Sequence, residues 1–209
     1  MRKRIAVLFL VSAFSAIALT ACGGLLDEYK KVISDFRDVV LSGSSENYSV
    51  NIISGFREEN FSLDGESGGK VDYILFTVTP VSDVGSVGID VTVGETNYSL
   101  ICNKHPLGNT YSAELPVRLT ADSLALTVNG EAVTAQTVVP GIAISGENAL
   151  EIAKDALDLD AAQEIYVRII ENPIISDGNY YWYVAAYSDG NTSAVLINVS
   201  SGSILAVRK

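Results

Sequence analysis

The sequence offers few side chains that could do chemistry, and two of them are cysteines. Cys22 ends an apolar run, whereas Cys102 precedes His105, the only histidine, by three residues. A zinc site needs three or four protein ligands, and the sequence has no further thiols or imidazoles to complete one at Cys102 and His105. It also contains no phosphate-binding glycine motif and no G-x-S-x-G motif. We therefore predict no catalytic residue, no metal, no cofactor and no enzymatic activity.

Cys22 is placed for a different chemistry, the attachment of lipid. Arg2, Lys3 and Arg4 precede an uncharged run of 15 residues, Ile5–Leu19, which is the layout of a secretory signal. That run is shorter than the ~20 residues of a membrane-spanning helix. The following Leu-Thr-Ala-Cys resembles the lipobox of bacterial lipoproteins, and the resemblance implies cleavage before Cys22 and a thioether to diacylglycerol. An ordinary signal with a chance cysteine and a short uncleaved anchor are the alternatives.

A lipoprotein signal at 1–21 places the mature chain on the extracytoplasmic face of the cell membrane, because two or more acyl chains anchor a protein stably. Loss of the three basic signal residues moves the formal net charge from −11 to −14. Such an acidic chain is a poor ligand for nucleic acid. Lipidation would also leave Cys102 without a disulfide partner, so we interpret it as a buried structural thiol.

Residues 22–139 are assigned to a first domain. Within it, the spacing of apolar residues differs between an N-terminal segment and the remainder. Apolar residues recur at helical spacing from Leu25 to Leu41, which predicts a helix that ends near Gly43. The period then changes to two, which predicts an antiparallel β-sandwich, with an immunoglobulin-like arrangement as one candidate topology. The predicted strands are Tyr48–Gly55, Val71–Thr79, Ser86–Val93, Thr96–Asn103, Tyr111–Leu119, Ser123–Val128 and Glu131–Val138.

Val139-Pro140-Gly141 interrupts both periods and is interpreted as a domain junction. The second domain, 144–209, begins with a predicted Ala-rich helix around Ala149–Leu157 that Ser145 would cap. Four strands are predicted after it, so the whole chain is expected to be an α+β protein. These strands are Glu164–Glu171, Tyr180–Tyr187, Ala194–Val199 and Ile204–Val207.

The second domain resembles the PepSY domain of peptidase propeptides and exported bacterial proteins. The Ala-rich helix, the aromatic strand Tyr180–Val184 and the closing strand–Gly–strand around Gly202 carry the resemblance. It implies a helix on an antiparallel sheet and a regulatory or peptidase-inhibiting role without catalytic residues. No peptidase domain is fused here, so that role would be exerted in trans or as a scaffold.

The aromatic strand supplies the candidate binding residues. Alternation places Tyr181, Tyr183 and Tyr187 on one face and Trp182 on the other. Trp182 is expected to pack on the helix, and the tyrosines either brace the sheet or form an exposed partner-binding surface. The sequence therefore predicts a lipid-anchored binding or regulatory protein that acts on an exported peptidase, another envelope protein or cell-wall material. The alternatives are a structural or adhesive surface lipoprotein and, least favoured, a carboxylate-based hydrolase.

Overall fold

The computed structural model describes residues 24–59, 69–139, 141, 144–173 and 178–209. The signal segment, Cys22 and residues 60–68 of the loop between Arg57 and Lys70 lie outside the described residues. The helices are α1 (Leu25–Tyr29) and α2 (Gly146–Ala156). The strands are β1 (Ile33–Ser44), β2 (Tyr48–Glu58), β3 (Lys70–Pro80), β4 (Gly88–Val93), β5 (Thr96–Ile101), β6 (Asn103–Lys104), β7 (Tyr111–Leu115), β8 (Ser123–Val128), β9 (Glu131–Thr137), β10 (Glu164–Glu171), β11 (Tyr180–Ser188), β12 (Asn191–Asn198) and β13 (Ile204–Arg208).

The predicted helix Leu25–Leu41 is wrong beyond its first turns. The chain leaves the helical conformation after Tyr29, and β1 then runs through the rest of the predicted helix. β1 has neighbours on both edges and is buried or half-buried along most of its length. A strand covered on both faces lacks the alternation of apolar and polar residues that identifies a half-exposed strand. Its apolar spacing therefore matched a helix by coincidence.

The strands of the described residues all belong to one sheet of thirteen strands. One edge of β1 pairs with β2, and its other edge pairs first with β10, in parallel from Ile33 to Arg37, and then with β9. All other pairings among the described strands are antiparallel. The prediction of an α+β protein, with a β-sandwich followed by a separate PepSY-like helix-on-sheet domain, is therefore wrong. The chain forms a mostly antiparallel, nearly closed, barrel-like sheet with two helices in its described part.

Two hydrophobic cores lie against this sheet. The first is enclosed by β1–β4 and β7–β9, with Val50, Phe76 and Val128 fully buried. The second lies between α2 and β10–β12, and it also receives Phe36 from β1 and Phe56 from β2. The long strands β1 and β2 thus contribute to both cores. The division into domains 22–139 and 144–209 stays a prediction.

A β-bulge in β1 explains a small residue in β2. The pairing of β1 with β2 shifts by one residue between Arg37 and Val39, opposite Gly55. A Cβ atom at Gly55 would lie 1.8 Å from the Phe36 carbonyl oxygen, so only glycine fits this approach of two backbones. Phe36, before the bulge, lies in the second core, and Leu41, after it, lies in the first.

α2 closes the second core at the position that the sequence indicates. The Ser145 hydroxyl accepts a hydrogen bond from the Asn148 backbone N–H at 3.1 Å and caps the helix. Ala149, Leu150 and Ala153 are fully buried against the sheet. Gly146 allows the helix to approach Phe36, because a Cβ atom there would lie 2.5 Å from the phenyl ring.

Candidate functional site

The face of β10–β12 opposite α2 carries half-buried tyrosines beside charged groups. Alternation directs Trp182 and Val184 of β11 towards α2 and leaves Tyr183 and Tyr187 on the other face. An open groove of 410 Å³ runs across this second face. We call the face that contains this groove the tyrosine–arginine face. The groove is lined by Glu164, Tyr166, Arg168, Tyr183, Ala185, Tyr187 and Thr192.

The strand register gives the groove a small-residue floor between aromatic walls. Ala185 lies between Tyr183 and Tyr187 along β11, with side chains at i, i+2 and i+4 on one face. Ala185 is paired with Tyr166 on β10 and with Ala194 on β12. Two neighbouring alanines therefore leave a depression in the sheet surface, and the tyrosine rings border it.

The two ends of the groove carry opposite charges. Tyr183 is paired with Arg168, whereas Tyr187 is paired with Glu164. The Arg168 guanidinium lies 4.7 Å from the centroid of the Tyr166 ring, within the range of a cation–π contact. The Tyr166 hydroxyl donates a hydrogen bond to Glu164, and this bond together with burial raises the pKa of Tyr166 to about 12. Tyr166 therefore remains a neutral hydrogen-bond donor at physiological pH.

A buried carboxylate holds Arg168 of this surface, and Arg37 of the neighbouring strand β1, in place. Asp35 of β1 is 6 % exposed, and it forms ion pairs with Arg37 at 3.2 Å and with Arg168 at 2.6 Å. The Arg168 Nε atom approaches Asp35 without the alignment of a hydrogen bond. The Tyr73 hydroxyl donates to Asp35 at 3.0 Å, and burial and the nearby carboxylate raise the pKa of Tyr73. Arg168 is thus held in place by contacts within the chain itself.

The predicted site residues fall in three different environments. Tyr183 and Tyr187 line the groove and are half-buried, whereas Tyr181 on the same face is only 7 % exposed. Tyr181 therefore offers little surface to a partner. The lipidation candidate Cys22 lies outside the described residues. The sequence did not identify Tyr166 or Arg168, although both belong to the alternating run of β10.

Cys102 and His105 do not form a joint site. Cys102 is 6 % exposed in the first core, and burial raises its pKa to about 11, so its thiol is poorly nucleophilic. His105 is exposed in a turn, where its Nδ1 atom accepts a hydrogen bond from the Leu107 backbone N–H at 3.2 Å. This arrangement agrees with the interpretation of Cys102 as a structural thiol.

Two further depressions lie elsewhere on the described surface, and each contains a polar contact between side chains. The first, of 430 Å³, lies on β4, β5, β8 and β9, where Ser99 donates a hydrogen bond to Asp90 across two strands. The second, of 360 Å³, lies beside α1, where Arg118 is held by Asp38 at 2.6 Å and lies over the Phe56 ring. The tyrosine–arginine face differs because it places several aromatic rings in one open groove.

Within the described part of the chain, no group of three or more histidine, cysteine, aspartate or glutamate side chains could hold a metal ion. The helices in that part are all too short or too polar to cross a membrane. Comparisons with protein-family models, with curated proteins and with solved structures find no match to this chain.

Proposed function

We propose that this chain is a lipid-anchored extracytoplasmic binding protein that holds a protein partner on its tyrosine–arginine face. The observation that supports the proposal is the grouping of Tyr166, Tyr183, Tyr187 and Arg168 in one groove. Tyrosine and arginine are enriched among the residues that dominate the binding energy of protein interfaces. A tyrosine ring contributes a large contact area and loses little rotamer entropy on binding.

The fixed charges of the groove would orient the partner. Arg168 lies near one end, held by the buried Asp35, and Glu164 lies near the other, held by the Tyr166 hydroxyl. Opposite charges at the two ends favour one direction of an extended segment that has an acidic group at one end and a basic group at the other. Because these side chains are ordered already, binding loses less conformational entropy than it would on a flexible surface.

The predicted attachment to the membrane indicates which kind of partner the chain would meet. The lipobox-like sequence at Leu19–Cys22 would tether the folded chain to the membrane from a position only three residues before α1. An exported peptidase or another envelope protein at the same membrane is therefore the partner that we propose. The acidic balance of the chain argues against nucleic acid as a ligand.

Replacement of Tyr183 and Tyr187 together by serine is expected to reduce partner capture by about tenfold or more, because each ring is a candidate for ~1 kcal/mol or more of binding energy. The full chain is expressed in cells, their envelopes are crosslinked, and the protein captured in a pull-down is quantified by mass spectrometry. Tyr181 is left unchanged because its burial would confound the result.

Tyr98→Ser is the matched control, because Tyr98 is a half-buried tyrosine on β5, away from the groove. It should capture the partner as the unmodified chain does. Equal capture by the double variant, or an equal loss in the Tyr98 variant, would contradict the proposal.

A further inference from the structure

Two arginines share one buried carboxylate beside the groove. Arg37 of β1 lies opposite Arg168 of β10 in the parallel pairing of these strands. The Arg37 Nη2 atom and the Arg168 Nε atom lie 3.2 and 2.6 Å from the same oxygen, Oδ2 of Asp35. The other oxygen, Oδ1, accepts a hydrogen bond from the Tyr73 hydroxyl at 3.0 Å. Both oxygens of Asp35 therefore have partners, and two guanidinium groups meet on one of them.

This cluster has an excess of positive charge. One negative charge on Asp35 faces the positive charges of both arginines. The carboxylates nearby on the sheet have contacts of their own, as the pairs Glu58–Lys70, Glu114–Arg57 and Glu164–Tyr166. Two guanidinium groups held this close repel each other unless a second anion joins them. The excess is opposite in sign to the formal net charge of the chain, −11.

Solvent reaches the two arginines but hardly reaches the carboxylate between them. The Asp35 side chain is 9 % exposed, whereas those of Arg37 and Arg168 are 25 % and 31 % exposed. An anion from outside can therefore contact the guanidinium groups without displacing Asp35. Each guanidinium has several N–H donors in a planar fork that matches the two oxygens of a carboxylate. Because Asp35 already orders both arginines, a bound anion loses little of its binding energy to side-chain ordering.

We infer that Arg37 and Arg168 form a binding site for a carboxylate group at the edge of the tyrosine–arginine groove. A monoanion matches the single uncompensated positive charge of the cluster, whereas a phosphate group carries up to two negative charges. The inference rests on the proposed function for the source of the carboxylate, a partner segment that lies in the groove. That source is either an aspartate or glutamate side chain or the carboxyl end of the partner chain.

Thermal unfolding of the purified full chain tests the site with small carboxylates. The probes are N-acetylglutamate α-amide, which presents a side-chain carboxylate, and N-acetylglycine, which presents a chain-end carboxylate. Sodium chloride and sodium phosphate at the same ionic strength are the reference salts. A ligand that binds only the folded chain raises the unfolding midpoint. We expect at least one carboxylate to raise it by about 2 °C or more above chloride, and the larger rise identifies the source.

Three substitutions separate binding at this site from a general effect of the salts. Arg37→Gln and Arg168→Gln each leave one arginine for Asp35, so each variant should lose the carboxylate-dependent rise whatever its midpoint in chloride. Arg57→Gln is the matched control, because Arg57 is bound to both oxygens of Glu114, at 2.7 and 2.9 Å. It should keep the rise. Two test variants keep the result decisive where one of them fails to fold.

Four results would overturn the inference. They are no rise with either carboxylate, a rise that persists in the Arg37 or Arg168 variant, a loss in the Arg57 variant, and a larger arginine-dependent rise with phosphate. The measurement needs no partner, so its outcome is separate from that of the pull-down. A chain that responds to carboxylate but captures its partner without Tyr183 and Tyr187 would refute the proposed function alone. Capture that depends on these tyrosines, without a carboxylate response, would refute this inference alone.

Discussion

Trp182→Ala is expected to lower the free energy of unfolding by about 3–5 kcal/mol, the usual cost of removing a buried aromatic side chain. Trp182 is 2 % exposed in the second core, and its ring lies 6.3 Å from the Phe36 ring. Its indole N–H donates a hydrogen bond to the Ile144 carbonyl at 2.9 Å. The substitution therefore leaves a cavity beneath α2 and an unpaired carbonyl group at the start of that helix. Urea unfolding followed by far-ultraviolet circular dichroism measures the change.

Tyr183→Ala on the same strand is the control for this experiment. Tyr183 points to the opposite face and is half-buried, so its loss should cost clearly less than the loss of Trp182. An equal or greater cost at Tyr183 would show that the tyrosine–arginine face is a structural surface.

Cys22→Ser is expected to abolish membrane association and incorporation of labelled palmitate. A hydroxyl cannot replace the thiol in the thioether to diacylglycerol, so neither lipidation nor the cleavage that follows it can proceed. The precursor should accumulate with its signal segment attached. Membrane fractionation and a gel-mobility assay of the labelled chain measure both effects.

Cys102→Ser applies the same substitution to the only other cysteine. Because Cys102 is buried in the first core, its replacement by serine should lower the free energy of unfolding and leave palmitate labelling unchanged. Label that persists in Cys22→Ser, or that disappears in Cys102→Ser, would contradict lipid attachment at Cys22.

The local elements with strong periodicity could be predicted from the sequence. The strand predicted over Glu164–Glu171 coincides with β10, and the strand predicted over Ser123–Val128 coincides with β8. The Asn129-Gly130 dipeptide, a sequence typical of two-residue hairpin turns, joins β8 to β9. Both turn residues have positive φ angles, 49° and 84°, as this turn type requires. Such elements are specified by residues close together in the sequence, so no knowledge of distant contacts is needed.

β1 could not be predicted, because its conformation depends on partners far along the chain. Ile33 pairs with Ile165 across more than a hundred residues, and this parallel contact joins the two parts of the sheet. A central strand has apolar residues on both faces and loses the period of two. Because β1 was assigned to a helix, the sequence did not show that residues on both sides of Val139-Pro140-Gly141 share one sheet.

The candidate site was only partly predictable for the same reason. Alternation placed Tyr183 and Tyr187 correctly on a common face, but it could not show that Tyr181 on that face is buried. The ion pairs of Asp35 with Arg37 and Arg168 were not predicted, because Asp35 and Arg37 were assigned to a helix. Their i, i+2 spacing, which puts both on one face of a strand, was the available signal.

Oxidative footprinting of tyrosines in intact envelopes tests most directly whether the tyrosine–arginine face is occupied by a partner. Hydroxyl-radical labelling of the envelope-bound chain and of the purified chain is compared by mass spectrometry, with Tyr98 as an internal reference on β5. We expect occupancy of this face by a partner: Tyr183 and Tyr187 are then oxidised much less in envelopes than in the purified protein, while Tyr98 is unchanged and Tyr181 is weakly oxidised in both. Equal oxidation of Tyr183 and Tyr187 in the two preparations would contradict it.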